Sequence, residues 1–235
     1  MTKRLDGGGH LQQGWAGLLQ GNRITPASYN KTPIPASLPL SRTRCPCFPV
    51  SWQGFLFGVR MAQKTILLSA GHSNADPGAV AQGRREADIA VEFRNMVAFY
   101  LMRDGVPHVT DGKGTDNYPL REAAKMAALH DFAIEFHCNA AASHKAGGAE
   151  VLAGKDDMGL AAKLSEAIAT ALKIPNRGAK PENAGQHHRL AFVQAGGVIV
   201  ELFFLTSPTD LKAYYDRKWL AAQAVAEVMK RAVQA

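Results

Sequence analysis

The stretch Lys64-Thr65-Ile66-Leu67-Leu68-Ser69-Ala70-Gly71-His72 decides the fold. Its core, Thr65–Ser69 (TILLS), is a short apolar run that ends at a Gly-His pair and reads as a buried strand. The next periodic segment, Glu86–Arg103, has a different spacing. Ile89, Phe93, Met96, Val97 and Tyr100 fall three or four apart, and Gly105 stands where a helix stops. The alternation continues outward. Strands are expected at Val106–Thr110, Asp131–His137, Glu150–Ala153, Arg189–Gln194 and Val198–Phe203, and helices over Leu120–His130, Met158–Leu172 and Leu211–Val233. In Met158–Leu172, the residues Leu160, Leu164, Ile168 and Leu172 share one face, and Pro175 follows the end. Strands separated by helices predict an α/β fold with a mostly parallel, twisted sheet and helices on both faces.

A length of 235 residues fits one domain with an appendage. With 46% hydrophobic and 20% charged residues, the composition is that of a globular chain rather than a collagen-like or wholly disordered one. No apolar run is long enough for a transmembrane helix, and three cysteines do not frame a disulfide scaffold. The net charge of +7 points at first to a nucleic-acid or membrane partner. Its distribution argues otherwise. Residues 1–60 hold Lys3, Arg4, Arg23, Lys31, Arg42, Arg44 and Arg60 against Asp6 alone, while the other 20 basic and 19 acidic residues nearly cancel over 61–235. Phosphate affinity needs clustered positive charge, so nucleic acid is set aside as the partner, and so is stable membrane insertion.

Residues 1–60 differ from the rest in kind. They carry Gly7-Gly8-Gly9, the prolines Pro26, Pro33, Pro35, Pro39, Pro46 and Pro49, and no sustained periodicity. Such a stretch buries too little apolar surface to offset its ordering entropy. It is expected to be a disordered, basic, Pro/Gly-rich extension, translated from an upstream start codon, with Met61 opening a single catalytic domain over 61–235. No apolar core of a secretory signal follows the basic first residues.

In sheets of this kind ligands collect beyond the carboxyl ends of the strands. Here TILLSAGH ends at His72, DFAIEFH at His137, and GVIVE at Glu201, while Glu86 opens the first long helix. Two histidines, one carboxylate and an open position match a catalytic zinc site, and zinc brings the pKa of a bound water to about 7. Each residue also has a plainer reading. A single buried histidine is more often a hydrogen-bonded core residue than a ligand, and Glu86 alone is a helix N-terminal acid favoured by the macrodipole. Glu201 resists a plain reading, because an unpaired carboxylate inside VIVELFFL is costly.

These residues occur within an ordered set of motifs. Ser69–Ala79 reads SAGHSNADPGA; Glu86 opens READIAVEF; Glu135–Ala140 reads EFHCNA; then follow Gly148-Ala149-Glu150-Val151, Asn176-Arg177-Gly178 and Glu201–Ser207 with Asp210 beyond. The order resembles the amidase-3 type of zinc-dependent N-acetylmuramoyl-L-alanine amidases of bacterial cell-wall hydrolases and phage endolysins, over essentially all of 61–235. The resemblance implies that His72, Glu86 and His137 ligate Zn2+ and that Glu201 is the catalytic acid/base. It implies peptidoglycan as the partner, cut at the amide between N-acetylmuramic acid and L-alanine. Apart from the resemblance, Asn139, which is close to His137 in the chain, and Arg177 are candidate substrate contacts. Arg177 has a second reading, as a cap on the carbonyls of the preceding helix.

The chain departs from the family pattern in places. Ser69-Ala70 stands for Asp-Pro, Glu135 for Ser, Phe203 for Gly and Ser207 for Asn. Glu135 and His137 share one strand face, so Glu135 is either an outer partner of His137 or a solvated strand-end acid. Rival activities are a zinc peptidase acting on the stem peptide and a non-catalytic wall-binding module. With no signal peptide recognised, the reading is a phage-type lysin held in the host cytoplasm before it reaches the wall. Cys138 is read as a buried small hydrophobe, because it points away from the face of His137. Cys45 and Cys47 are read as free thiols, His187 and His188 as loop residues, and His108, His130 and His144 as lying outside the site.

Overall fold

The computed structural model describes residues 63–184 and 189–235. The expected extension over 1–60, with Cys45 and Cys47, lies outside the described residues, as do His187 and His188.

The chain begins with strand β1 (Ile66–Ala70), all five residues of which are buried. A small hairpin of β2 (Val80–Ala81) and β3 (Arg84–Arg85) leads into helix α1 (Glu86–Arg103). Then come β4 (Val109–Thr110), α2 (Leu120–Ala127), β5 (Phe132–Asn139), β6 (Ala149–Ala153), α3 (Met158–Leu172) and β7 (Asn176–Pro181). The chain closes with α4 (Ala191–Gln194), β8 (Val198–Phe204) and α5 (Pro208–Gln234). Six strands form one sheet in the order β4-β1-β5-β8-β6-β7. β4, β1, β5 and β8 are mutually parallel, whereas β6 runs antiparallel to β8 and pairs in parallel with β7. The expected α/β architecture with a mostly parallel sheet is therefore present.

The side-chain period of two sorts the strands between two cores. Leu68, Ile134 and Val200 pack with α1, α3 and α5, where Phe93, Leu164 and Tyr214 are fully buried. Leu67, Ala133 and Ile199 face the other way, against Ala123 and Ala127 of α2 and Phe192 and Val193 of α4. Each fully buried large apolar side chain stabilises the fold by about 1.5–3 kcal/mol. Among the described residues, two short helices lie over the second face. Its half nearest the carboxyl ends of β5 and β8 lines the cleft described below.

Two local expectations are corrected, and one strand is present that the sequence did not announce. Arg189–Gln194 was expected to be a strand, but Ala191–Gln194 is one helical turn. Phe192 and Val193 are consecutive and both buried, which alternation does not allow in a half-buried strand, and Gly196 follows at φ +88. Asn176–Pro181 is a strand although NRGAKP has no apolar alternation, because it lies on the sheet edge, where Pro and Lys are tolerated. Helix α5 starts at Pro208 rather than Leu211, since the Ser207 side chain accepts from the Asp210 N–H at 3.3 Å and caps the helix. One charge pair is wholly interior: Arg94 of α1 donates through Nη1 to Asp111 Oδ1 at 2.7 Å, and both side chains are fully buried.

Candidate active site

β1 runs into Gly71 and His72 at the carboxyl edge of the sheet. His72 adopts a left-handed φ of +63, which costs a non-glycine residue about 1–3 kcal/mol. Asn117 holds this turn, donating from Nδ2 to the carbonyls of Ala70, at 2.7 Å, and His72. The β2–β3 hairpin returns the chain so that α1 begins beside His72. Glu86, its first residue, accepts backbone N–H donors on both oxygens: Ala79 on Oε2 at 2.8 Å and Cys138 on Oε1 at 3.0 Å. The sheet register supplies the other members. His137 on β5 lies directly across from Glu201 on β8, and Glu201 lies across from Glu150 on β6. A register shift between His137 and Asn139 follows at once, a device that re-aims side chains next to sites.

His72, Glu86 and His137 converge. Their ligand atoms all lie within 4.8 Å of one another. His72 Nε2 is 3.2 Å from Glu86 Oε2, and His137 Nδ1 is 3.0 Å from Glu86 Oε1. The second nitrogen of each ring is also held by a carboxylate, His72 Nδ1 by Asp76 at 3.0 Å and His137 Nε2 by Glu135 at 3.1 Å. Two glycines make the cradle. A Cβ at Gly71 would sit 2.1 Å from His137 Cε1, and one at Gly78, where φ is +64, would sit 2.6 Å from Glu86 Oε2. The donor set of two imidazoles and one carboxylate, with the outer nitrogens tied to acids, suits a divalent metal such as zinc.

The electrostatics follow from crowding. Burial pushes the Glu86 carboxyl up, but the hydrogen bonds from His137 and His72 outweigh it and hold the pKa far below the ordinary carboxylate range. Burial lowers the His137 pKa, but its bonds to Glu135 and Glu86 hold it well above the usual histidine value. Among the described residues Glu201 Oε2 has no hydrogen-bond partner, and burial pushes the pKa of Glu201 up to about 7, with the charges of Glu86 and Glu150 adding to the rise. Glu201 is thus poised to take or give a proton near neutrality.

A cleft of about 520 Å³ joins these groups, lined among others by His72, Glu86, His137, Asn139, Glu150 and Glu201. Asn139 and Arg177 both meet at Glu150. Asn139 Nδ2 donates to Glu150 Oε1 at 2.9 Å, and Arg177 Nε donates to Oε2 at 2.5 Å. Lys180 Nζ donates to the same Oε2 at 2.6 Å, and Arg177 lies over the Phe204 ring at 4.9 Å. Burial raises the Glu150 pKa, but Lys180 and Arg177 outweigh it and keep the group ionised. Reading the sequence missed the role of Glu150 and all of Lys180; the available signal was an acid in the apolar strand AEVLA, the same signal that marked Glu201. Cys138 is buried in the larger core beside Phe136. His108, His130 and His144 each bond a backbone carbonyl, and none joins the metal-ligand cluster.

The sequence profile of the amidase-3 family, N-acetylmuramoyl-L-alanine amidase, matches residues 66–231. The chain belongs to the N-acetylmuramoyl-L-alanine amidase family. It is accordingly an amide hydrolase by class. It is similar to the crystal structure described as the putative N-acetylmuramoyl-L-alanine amidase from Neisseria meningitidis, with 44% identity, a TM-score of 0.68, and 73% of this chain and 96% of that one covered. It is 26% identical over 173 residues to the N-acetylmuramoyl-L-alanine amidase LytC of Bacillus subtilis, covering 69% of this chain and 34% of that protein. The amidase AmiC2 of Nostoc punctiforme, 20% identical with a TM-score of 0.66 and coverage of 74% and 98%, shares the fold. Among the described residues, no helix is long and apolar enough to cross a membrane.

Proposed function

We propose that the chain is a zinc-dependent enzyme that hydrolyses the amide between the lactyl group of N-acetylmuramic acid and L-alanine in peptidoglycan, and so lyses cell walls. One observation carries this reading: His72, Glu86 and His137 converge beside Glu201, whose buried Oε2 has no partner among the described residues. Zinc, held by those three residues, would supply a Lewis acid for the scissile carbonyl and a water of lowered pKa. Glu201 accepts the proton of the attacking water as the new C–O bond forms. It then returns that proton to the alanine nitrogen as the C–N bond breaks. Asn139, which lines the cleft, and Arg177 behind it are proposed to contact the muropeptide; both donate to Glu150, which orients them.

Metal analysis of the full chain and fragment analysis of digested peptidoglycan test the proposal. Bound zinc, chelator-reversible lysis and release of glycan with intact stem peptides are expected. Shortened stem peptides would instead indicate a peptidase, and wall binding without cleavage a non-catalytic module.

A further inference from the structure

Two residues on neighbouring strands stand beside the metal-ligand cluster without belonging to it. Ser69 on β1 and Glu135 on β5 are register partners, and both are buried. Ser69 Oγ lies 2.8 Å from Asp111 Oδ2 and 3.4 Å from Glu135 Oε1. A hydroxyl has a single proton to give, and the shorter contact takes it. Asp111 is already neutralised by Arg94 at 2.7 Å. Glu135, 3% exposed, is therefore a buried carboxylate with one close donor among the described residues, His137 Nε2 at 3.1 Å.

A buried carboxylate is costly unless paired and hydrogen-bonded, so this partnership is enforced from both sides. Glu135 requires a proton on Nε2. The ring then presents Nδ1 toward Glu86 Oε1 at 3.0 Å and toward the site of the metal. Gly71 supports the same pose, since a Cβ there would overlap the His137 ring.

We propose that Glu135 is a positioning residue. It fixes the tautomer and tilt of His137 so that Nδ1 is the ligand atom, with the Ser69–Asp111–Arg94 chain as its rigid, charge-balanced backing. The proposal rests on the metal-centre reading above.

Zn2+ alone is the probe, titrated into the metal-free full chain against a chromophoric chelator. Glu135→Gln keeps an acceptor but loses the charge; Glu135→Ala loses both. Zinc affinity is expected to fall about 10- to 100-fold, more in the alanine variant than in the glutamine one. Long-range 1H–15N spectra of the zinc-loaded wild-type chain are expected to show His137 with its proton on Nε2 and the metal on Nδ1. Variants that bind zinc within twofold of wild type, or metal on Nε2 in the wild-type chain, overturn this proposal alone. The spectral test needs no substitution, so a variant that fails to fold leaves it intact. A wild-type chain that binds no zinc overturns this proposal and the function proposed above together.

Discussion

In the proposed mechanism Glu201 holds a proton at one moment of turnover and releases it at another, and its surroundings set how easily it does either. Its Oε2 is buried with no partner among the described residues, whereas each oxygen of Glu86 is met by a backbone N–H. Glu201→Gln keeps the shape and removes the proton acceptor. It should leave zinc binding unchanged and lower kcat by about 10²–10⁴-fold, the usual contribution of a general acid/base. Equilibrium zinc titration beside a peptidoglycan-release assay would check both halves; a variant with near-normal kcat would remove Glu201 from the mechanism. Titration of the same group predicts a stability effect. Glu201 rises from an unfolded value of 4.5 to about 7, so the metal-free native state binds more protons than the unfolded state in that interval. Stability from this group is therefore present at low pH and is lost as pH rises from 4.5 to 7, by about 3 kcal/mol at most. Glu86 acts in the opposite direction, since its depressed pKa gives stability that is lost on acidification. Urea melts of the metal-free chain should show Glu201→Gln gaining on wild type as pH increases across this window; parallel curves would contradict the burial argument. Gly71→Ala is a third test at this scale. A Cβ 2.1 Å from His137 Cε1 forces the ring to move, so zinc affinity should fall while the circular dichroism spectrum is kept.

At the scale of elements, α1 joins the core to the site. Its first residue is Glu86, and halfway along it Arg94 pairs with Asp111 beyond β4. Both side chains of that pair are fully buried, so breaking it leaves an uncompensated charge. Arg94→Met should cost about 3–5 kcal/mol of unfolding free energy, read from urea denaturation, with the double variant Arg94→Met/Asp111→Leu recovering most of it. A loss below 1 kcal/mol would mean that water reaches the pair. Nothing in the local sequence announced this bond. Arg94 sits beside Phe93 in a helix whose 3–4 spacing was otherwise clear, and Asp111 is seventeen residues away in a polar loop. The same limit explains the rest of the pattern. α1 and α3 have the bounds that their apolar spacing indicated, because an amphipathic face is written into one contiguous stretch. β7 was invisible because an edge strand buries little and needs no alternation. Arg189–Gln194 reads as a strand because its four-residue apolar run, Leu190–Val193, fits a strand as well as the helical turn that forms there. His72, Glu86 and His137 could be picked out as candidates from their places near element ends, and Glu201 as a carboxylate inside an apolar strand. Lys180 could not, since its meaning depends on the pairing of β6 with β7.

At the scale of the whole molecule, the candidate metal ligands come from three separate parts of the chain: the loop after β1, the start of α1 and the end of β5. A metal ion that binds this arrangement binds only the folded state, so it shifts the folding equilibrium by mass action. At free zinc a thousand times its Kd the gain is about 4 kcal/mol. For a domain of roughly 150–250 residues that corresponds to a rise in Tm on the order of 10 °C. Chelation should therefore lower Tm by that amount, and zinc should restore it. The change should not be spread evenly. Glu86 is also held by Ala79 and Cys138, whereas His72 depends on a strained turn and on Asp76, which is itself exposed. Amide exchange should accelerate most over residues 72–79 when the metal is removed, and little in β5 or β8. His137→Ala should abolish the zinc-dependent rise in Tm without this chelator effect on the loop, because one of the three tethers is gone in either condition. A Tm indifferent to zinc in the wild-type chain would show that the three ligands do not act as one centre and would overturn the zinc-dependent mechanism proposed above.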